Sequence, residues 1–134
     1  MKRILVTILG LSLLTAGCAD PVAPAAPTPA APTIPETFSD TLLVLGANMH
    51  TFAISQVGAV KVTLVSVTPA AAVSLGVGTP SGASCLVINN LTTVAGPGAQ
   101  LSGTATVTGN FCVSVIDVGN LVEPVTYTVS VLHS

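Results

Sequence analysis

PVTYTVSVL, residues 124–132, decides the fold class. Beyond Pro124, the residues Val125, Tyr127, Val129 and Val131 fall on one face of an extended chain, and Thr126, Thr128 and Ser130 fall on the other. Successive side chains of a strand point to opposite sides, so this period of two describes a β-strand with one buried and one solvated face. The same period recurs upstream. FCVSVIDV, residues 111–118, is a strong core strand, and residues 101–108 form a more polar strand that belongs near a sheet edge. AVKVTLVSVT, residues 59–68, is the longest: Val60, Val62 and Leu64 share a face opposite Lys61 and Thr63. Its pattern shifts at Val65 and Val67, which predicts a bulge or burial on both sides.

Shorter strands are predicted over residues 41–45, 50–55, 72–77 and 85–89. Between them lie Gly46-Ala47-Asn48, Gln56-Val57-Gly58, Pro69 and the loop Gly78-Thr79-Pro80-Ser81-Gly82. Residues 92–98 read as irregular, with Gly96-Pro97-Gly98 as the sharpest turn. About eight short antiparallel strands and no helical period beyond residue 37 predict an all-β domain, a single β-sandwich of jelly-roll or immunoglobulin-like type. Phe38, Phe52, Phe111 and Tyr127 are assigned to its packing.

The other end of the chain has a different grammar. Met1-Lys2-Arg3 is basic, residues 4–14 are mainly apolar, and Thr15-Ala16-Gly17 are small, which is the order of an export signal. The apolar stretch is shorter than the roughly 20 residues a membrane-spanning helix needs. Cys18 follows at once. LTAGC, residues 14–18, resembles the lipobox of bacterial lipoproteins, with Thr15 where the commonest form has leucine and Leu14 one place further out. The resemblance implies cleavage before Cys18, a diacylglycerol on its thiol and, in many members, an acylated amine, so that the bilayer is a partner. One acyl chain binds a membrane marginally, whereas two signals anchor stably. Ala19 after the cysteine, by resemblance to enterobacterial lipoproteins, implies the outer membrane of a bacterial envelope, with the domain facing periplasm or exterior.

Residues 19–36 read ADPVAPAAPTPAAPTIPE, and six prolines exclude a helix or a central strand there. Such a segment favours an extended spacer, at about 3.1 Å per residue up to about 56 Å long. The domain plan is therefore residues 1–17 as signal peptide, 18–36 as lipidated cysteine and Pro/Ala-rich tether, and 37–134 as sandwich.

Charge narrows the function classes. Once Lys2 and Arg3 leave with the signal, Lys61 is the only lysine or arginine, against Asp20, Glu36, Asp40, Asp117 and Glu123. A chain this poor in cations cannot neutralise a phosphate backbone, which excludes nucleic acid as a partner. Three cysteines divide as one plus two. Cys18 takes lipid, and Cys85 and Cys112 are predicted to pair in the oxidising compartment of an exported protein. Closing that loop would stabilise by roughly 3–4 kcal/mol. A catalytic thiol would want a histidine beside it and a zinc site more ligands at close spacing, and the sequence offers neither.

SDTLLVLGANMHTFAISQVGAVKVTLVSVTP (39–69), VSLGVGTPSGASC (73–85) and NFCVSVIDVGNLVEPVTYTVSV (110–131) together resemble the bacterial pre-peptidase C-terminal domain, a secreted β-sandwich. The resemblance implies an accessory role in secretion, localisation or substrate contact. No peptidase accompanies it in this sequence, and the dense acidic loop that holds calcium in some relatives is absent.

Titratable groups are too few to point to an enzyme or a cofactor. Asp117 is predicted to cap the turn beside it rather than to bind calcium, which takes six to eight oxygens. His50 reads as a lone exposed histidine and His133, next to the C-terminus, as frayed. Gly76 to Ser84 is the preferred contact loop, with Thr79 and Ser81 as candidate contact residues, because sandwich loops carry function. Two functions stay open: a non-catalytic module that binds protein or glycan, and an envelope spacer without a ligand.

Overall fold

The computed structural model describes Gly17, residues 23–25 and residues 33–134. The signal segment, Cys18 and most of the tether lie outside the described residues, so the lipidation and cleavage expectations fall outside them as well.

Eight strands follow one another: β1 (Ile34–Leu42), β2 (Ala47–Ile54), β3 (Gly58–Thr68), β4 (Val73–Ser81), β5 (Ser84–Ala95), β6 (Gln100–Ala105), β7 (Gly109–Ile116) and β8 (Val125–His133). They form two four-stranded sheets, ordered β1-β8-β3-β6 and β2-β7-β4-β5, and every pairing is antiparallel. Four pairings are nested: β4 with β5, β3 with β6, β2 with β7 and β1 with β8. The chain is thus one long ribbon folded back at the β4–β5 turn. Pairing β8 to β3 and β7 to β4 then rolls the ribbon into two layers. That is a jelly roll, which decides between the two sandwich types left open by the sequence.

The alternation read from residues 124–132 is the core. Val125, Tyr127, Val129 and Val131 are buried against Val60, Val62 and Leu64 of β3 and, across the layer, Leu75, Val113 and Val115. β3 carries the expected bulge: Leu64 sits opposite Val129 and Ser66 opposite Thr128, leaving Val65 as the extra residue. Val65 is exposed while Val67 returns to the core, so one inserted residue shifts the inward face from even to odd numbers. The polar strand is β6, at the edge of its sheet, as its composition implied.

Three boundaries differ from expectation. β1 begins at Ile34, within the stretch assigned to the tether, and Pro35 is tolerated because β1 is an edge strand. β5 runs on through the residues read as irregular, to Ala95. Of the run 41–45, only Thr41 and Leu42 are strand, as the end of β1: the chain turns after Leu42 and leaves Leu43, Val44 and Leu45 exposed.

Candidate functional site

The expected contact loop is a hairpin. β4 continues through Thr79, Pro80 and Ser81, turns at Gly82-Ala83 with Gly82 at φ 60°, and returns as β5 with Pro80 opposite Cys85. Thr79 and Ser81 are both exposed on it. A loop reading failed here because Gly and Pro look like punctuation, whereas a glycine track serves another purpose. Gly76 and Gly78 lie on the outer face of β4. A Cβ on Gly76 would meet Val87 and Ser114 Oγ within 3.0 Å, and one on Gly78 would collide with the Leu86 carbonyl oxygen. β5 therefore lies on the bare backbone of β4.

The disulfide follows from that crossing. Cys85 on β5 and Cys112 on β7 are bonded, with Cα atoms 5.9 Å apart. β4 stands between their strands, and strands two apart in a flat sheet would be roughly 9.6 Å apart. The short span shows that the hairpin has left the sheet plane and folded over β4 onto β7. Cys112 and Ser114 point away from the core yet are buried, because this hairpin covers them. The register slips between Gly76 and Gly78, where residues 88–91 of β5 loop out opposite Val77. Ile88 and Leu91 there cover a narrow apolar cleft of about 40 Å³ between β5 and β6, with Val62, Val77, Leu101 and Phe111 beneath. Its lining has no ionisable side chain.

At the end of the sandwich reached by β1, Asp117 organises two turns. Its Oδ1 accepts hydrogen bonds from the N–H groups of Gly119 (2.9 Å), Asn120 (2.8 Å) and Leu121 (3.1 Å). Oδ2 accepts from the N–H of Leu45, 2.8 Å away on the β1–β2 turn. The Asp117 N–H in turn donates to the Gly46 carbonyl. The capping expectation is thus met, and extended to a second turn. The Leu45 N–H holds the carboxyl below its ordinary range, helped by the other three donors and opposed by desolvation.

Both histidines depart from expectation. His50 faces inward from β2: its ring stacks on Phe38 at 5.0 Å, and Nε2 shares a 2.7 Å hydrogen bond with the Tyr127 hydroxyl, tying the two sheets. Burial lowers its pKa, against the pull of Asp40. Burial also pushes the Tyr127 phenol up to about 12, with an Asn48 hydrogen bond opposing and the Asp40 charge adding. His133 is 2% exposed rather than frayed, with Nε2 2.8 Å from Glu36 Oε1 and its ring against Phe52. The reason in both cases is the period of two, which puts His50 in line with Phe52 and His133 in line with Val131. Among the described residues, no three His, Cys, Asp or Glu side chains gather where a metal could bind.

No family model matches this chain, and no curated protein matches it.

Proposed function

We propose that this is an exported lipoprotein of a bacterial envelope, anchored through acylated Cys18, whose jelly roll is a non-catalytic binding module for an envelope protein or glycan. The observation that carries the binding reading is the folded-over hairpin. A disulfide and two close-contact glycines hold it against β7, so Thr79, Ser81 and Leu86 are presented to solvent on a backbone already fixed before any partner arrives. Pre-organisation of that kind lowers the ordering cost of association. Small hydroxyls suit hydrogen bonding to a glycan or to a peptide backbone.

The anchor is supported by the order basic, apolar, small, cysteine, and by the proline-rich spacer that follows it. The pre-peptidase C-terminal domain remains the family this module is proposed to resemble, on its strand order and turn sequence.

Palmitate labelling of the full-length protein in a bacterial host tests the anchor, with Cys18→Ala as the variant that should lose label. In-cell cross-linking with mass spectrometry tests the binding. A stoichiometric partner should be captured by the native chain and lost with Thr79→Lys/Ser81→Lys. Capture unchanged in that variant would sink the hairpin assignment. A labelled chain that captures nothing in repeated trials would favour the spacer reading.

A further inference from the structure

The end of the molecule organised by Asp117 presents large apolar side chains outward. Leu43, Val44 and Leu45 on the β1–β2 turn and Val118 and Val122 on the β7–β8 loop are all exposed, Leu45 by 75% and Val122 by 94%. The two loops share the Asp117 carboxylate, and Asn120 Nδ2 donates to the Ala72 carbonyl of the β3–β4 connection beside them. Leu45 is also the one non-glycine residue with positive φ among the described residues, at 56°. An L-residue is strained there, and glycine or asparagine is the usual occupant. A strained backbone that holds a leucine in water is a feature the fold does not need, and such outliers cluster at functional positions.

We propose that these two loops form a tip that inserts into the interface of a neutral phospholipid bilayer, the same membrane that carries the anchor. The apolar residues sit on protruding turns, a shape that suits a fluid surface. Five N–H groups of the two loops are already bonded: those of Leu45, Gly119, Asn120 and Leu121 go to Asp117, and that of Gly46 goes to the Leu43 carbonyl. Bonded N–H groups can leave water without the penalty that bars open turns from lipid. The only free charge on these loops is Glu123, and no lysine or arginine stands on either, so docking is apolar and anionic lipid gives it no help.

Reach permits it. The tether enters at Ile34, and the tip begins after Leu42, one nine-residue strand away, about 30 Å. At about 3.1 Å per residue, a chain of the length of residues 19–33 could span at most about 45 Å, enough for the domain to lay its far end on the anchoring leaflet. The inference rests on the lipoprotein reading only for which bilayer lies within reach.

The test uses the chain from residue 18 onward with Cys18→Ser, so that neither signal nor acyl chain contributes. Every core residue lies within the described strands and loops from Phe38 onward, so this chain keeps the whole sandwich. Co-sedimentation with phosphatidylcholine vesicles should show binding that is unchanged between low and high salt. Val122→Ser and Leu43→Ser should each weaken it by about 3-fold or more, and Val107→Ser, on the β6–β7 turn, should not. Leu45→Gly separates role from fold: it should raise the melting temperature while weakening vesicle binding. No vesicle binding by the native tip, or binding unaltered by Leu45→Gly, overturns the proposal. So does a tip that binds no vesicle but cross-links to a protein. A full-length native chain that takes up no palmitate, with vesicle binding retained by the Cys18→Ser chain, would overturn the anchor reading and leave the tip standing.

Discussion

Asp117 shows how one carboxylate can serve a fold more than a reaction. Four backbone donors aim at it from two turns, so Asp117→Ala would leave them competing for water at a site the protein has closed. Asp117→Asn keeps one acceptor but turns an N–H₂ toward the Leu45 N–H, and both variants should melt at lower temperature, alanine more than asparagine. The sign with pH follows from a depressed pKa. The carboxylate's contribution is full above the unfolded value near 3.9 and is lost as pH falls through the lower folded value. Thermal melts below pH 4 should therefore converge for native and Asp117→Ala chains. His50 works in the opposite range. Its folded pKa is lowered from 6.5, so the unfolded chain takes up the proton first, and stability declines as pH drops below about 6.5. A melting series from pH 8 to 5 should show that decline, and His50→Gln should flatten it. Leu45 is read from backbone geometry instead. Relief of a left-handed leucine is worth about 1–2 kcal/mol, and the entropy of an added glycine costs about 0.5–1 kcal/mol, so Leu45→Gly should stabilise by up to about 1.5 kcal/mol in urea melts. The Asp117 cap was legible in the sequence because Asp beside Gly-Asn has a local meaning. The second turn it holds was not, since Leu45 is 72 residues away.

At the scale of elements, the period of two carried most of the reading, and it broke where the chain met something non-local. The bulge at Val65 was visible as a phase change between Leu64 and Val67. It makes a sharp contrast testable by urea unfolding. Leu64→Ala, fully buried, should cost about 2–5 kcal/mol, whereas Val65→Ala should stay within about 0.5 kcal/mol. The run Leu43-Val44-Leu45 misled because apolar β-formers read as strand whenever burial is assumed, and here they turn and face water. The hairpin at Thr79 misled for the converse reason. Gly76 and Gly78 are not loop residues but the flat track on which β5 crosses, so their meaning depends on a strand that arrives later in the chain. Cysteine arithmetic found the disulfide without geometry, since with Cys18 assigned to lipid the two remaining cysteines leave one pairing. Replacing both with serine should cost about 3 kcal/mol through loop closure. It should also expose Ser114 and Val87 by freeing the hairpin, which hydrogen exchange on residues 78–87 would register as lost protection. A hairpin that stays protected without the bond would mean the glycine contacts alone suffice to hold it.

Across the whole molecule, topology is what no stretch of sequence could supply. Alternation shows that a face is buried, not which strand lies beside it, so jelly roll and immunoglobulin-like sandwich read alike until the order β1-β8-β3-β6 and β2-β7-β4-β5 is seen. The nested ribbon then implies a folding order. β4 and β5 are joined by the two-residue turn Gly82-Ala83 and close almost without entropic cost, and each outer pair closes a modest extra loop once the inner pair has formed. β1 and β8, whose partners are as far apart as Ile34 and His133, have the least reason to form early. With the disulfide intact, Leu75→Ala in β4 should slow folding with little change in unfolding. Leu42→Ala at the end of β1 should speed unfolding and leave the folding rate nearly untouched. Both side chains are fully buried, so both variants lose enough stability for the ratio to be read from denaturant-jump kinetics. The reverse pattern would mean that the ribbon closes from its open end. The proposed tip would then be built early, because the β1–β2 turn and the β7–β8 loop would be locked through Asp117 before the β4–β5 hairpin has formed. If the ribbon closes from the β4–β5 turn instead, the tip is completed last, by the same carboxylate that links its two loops.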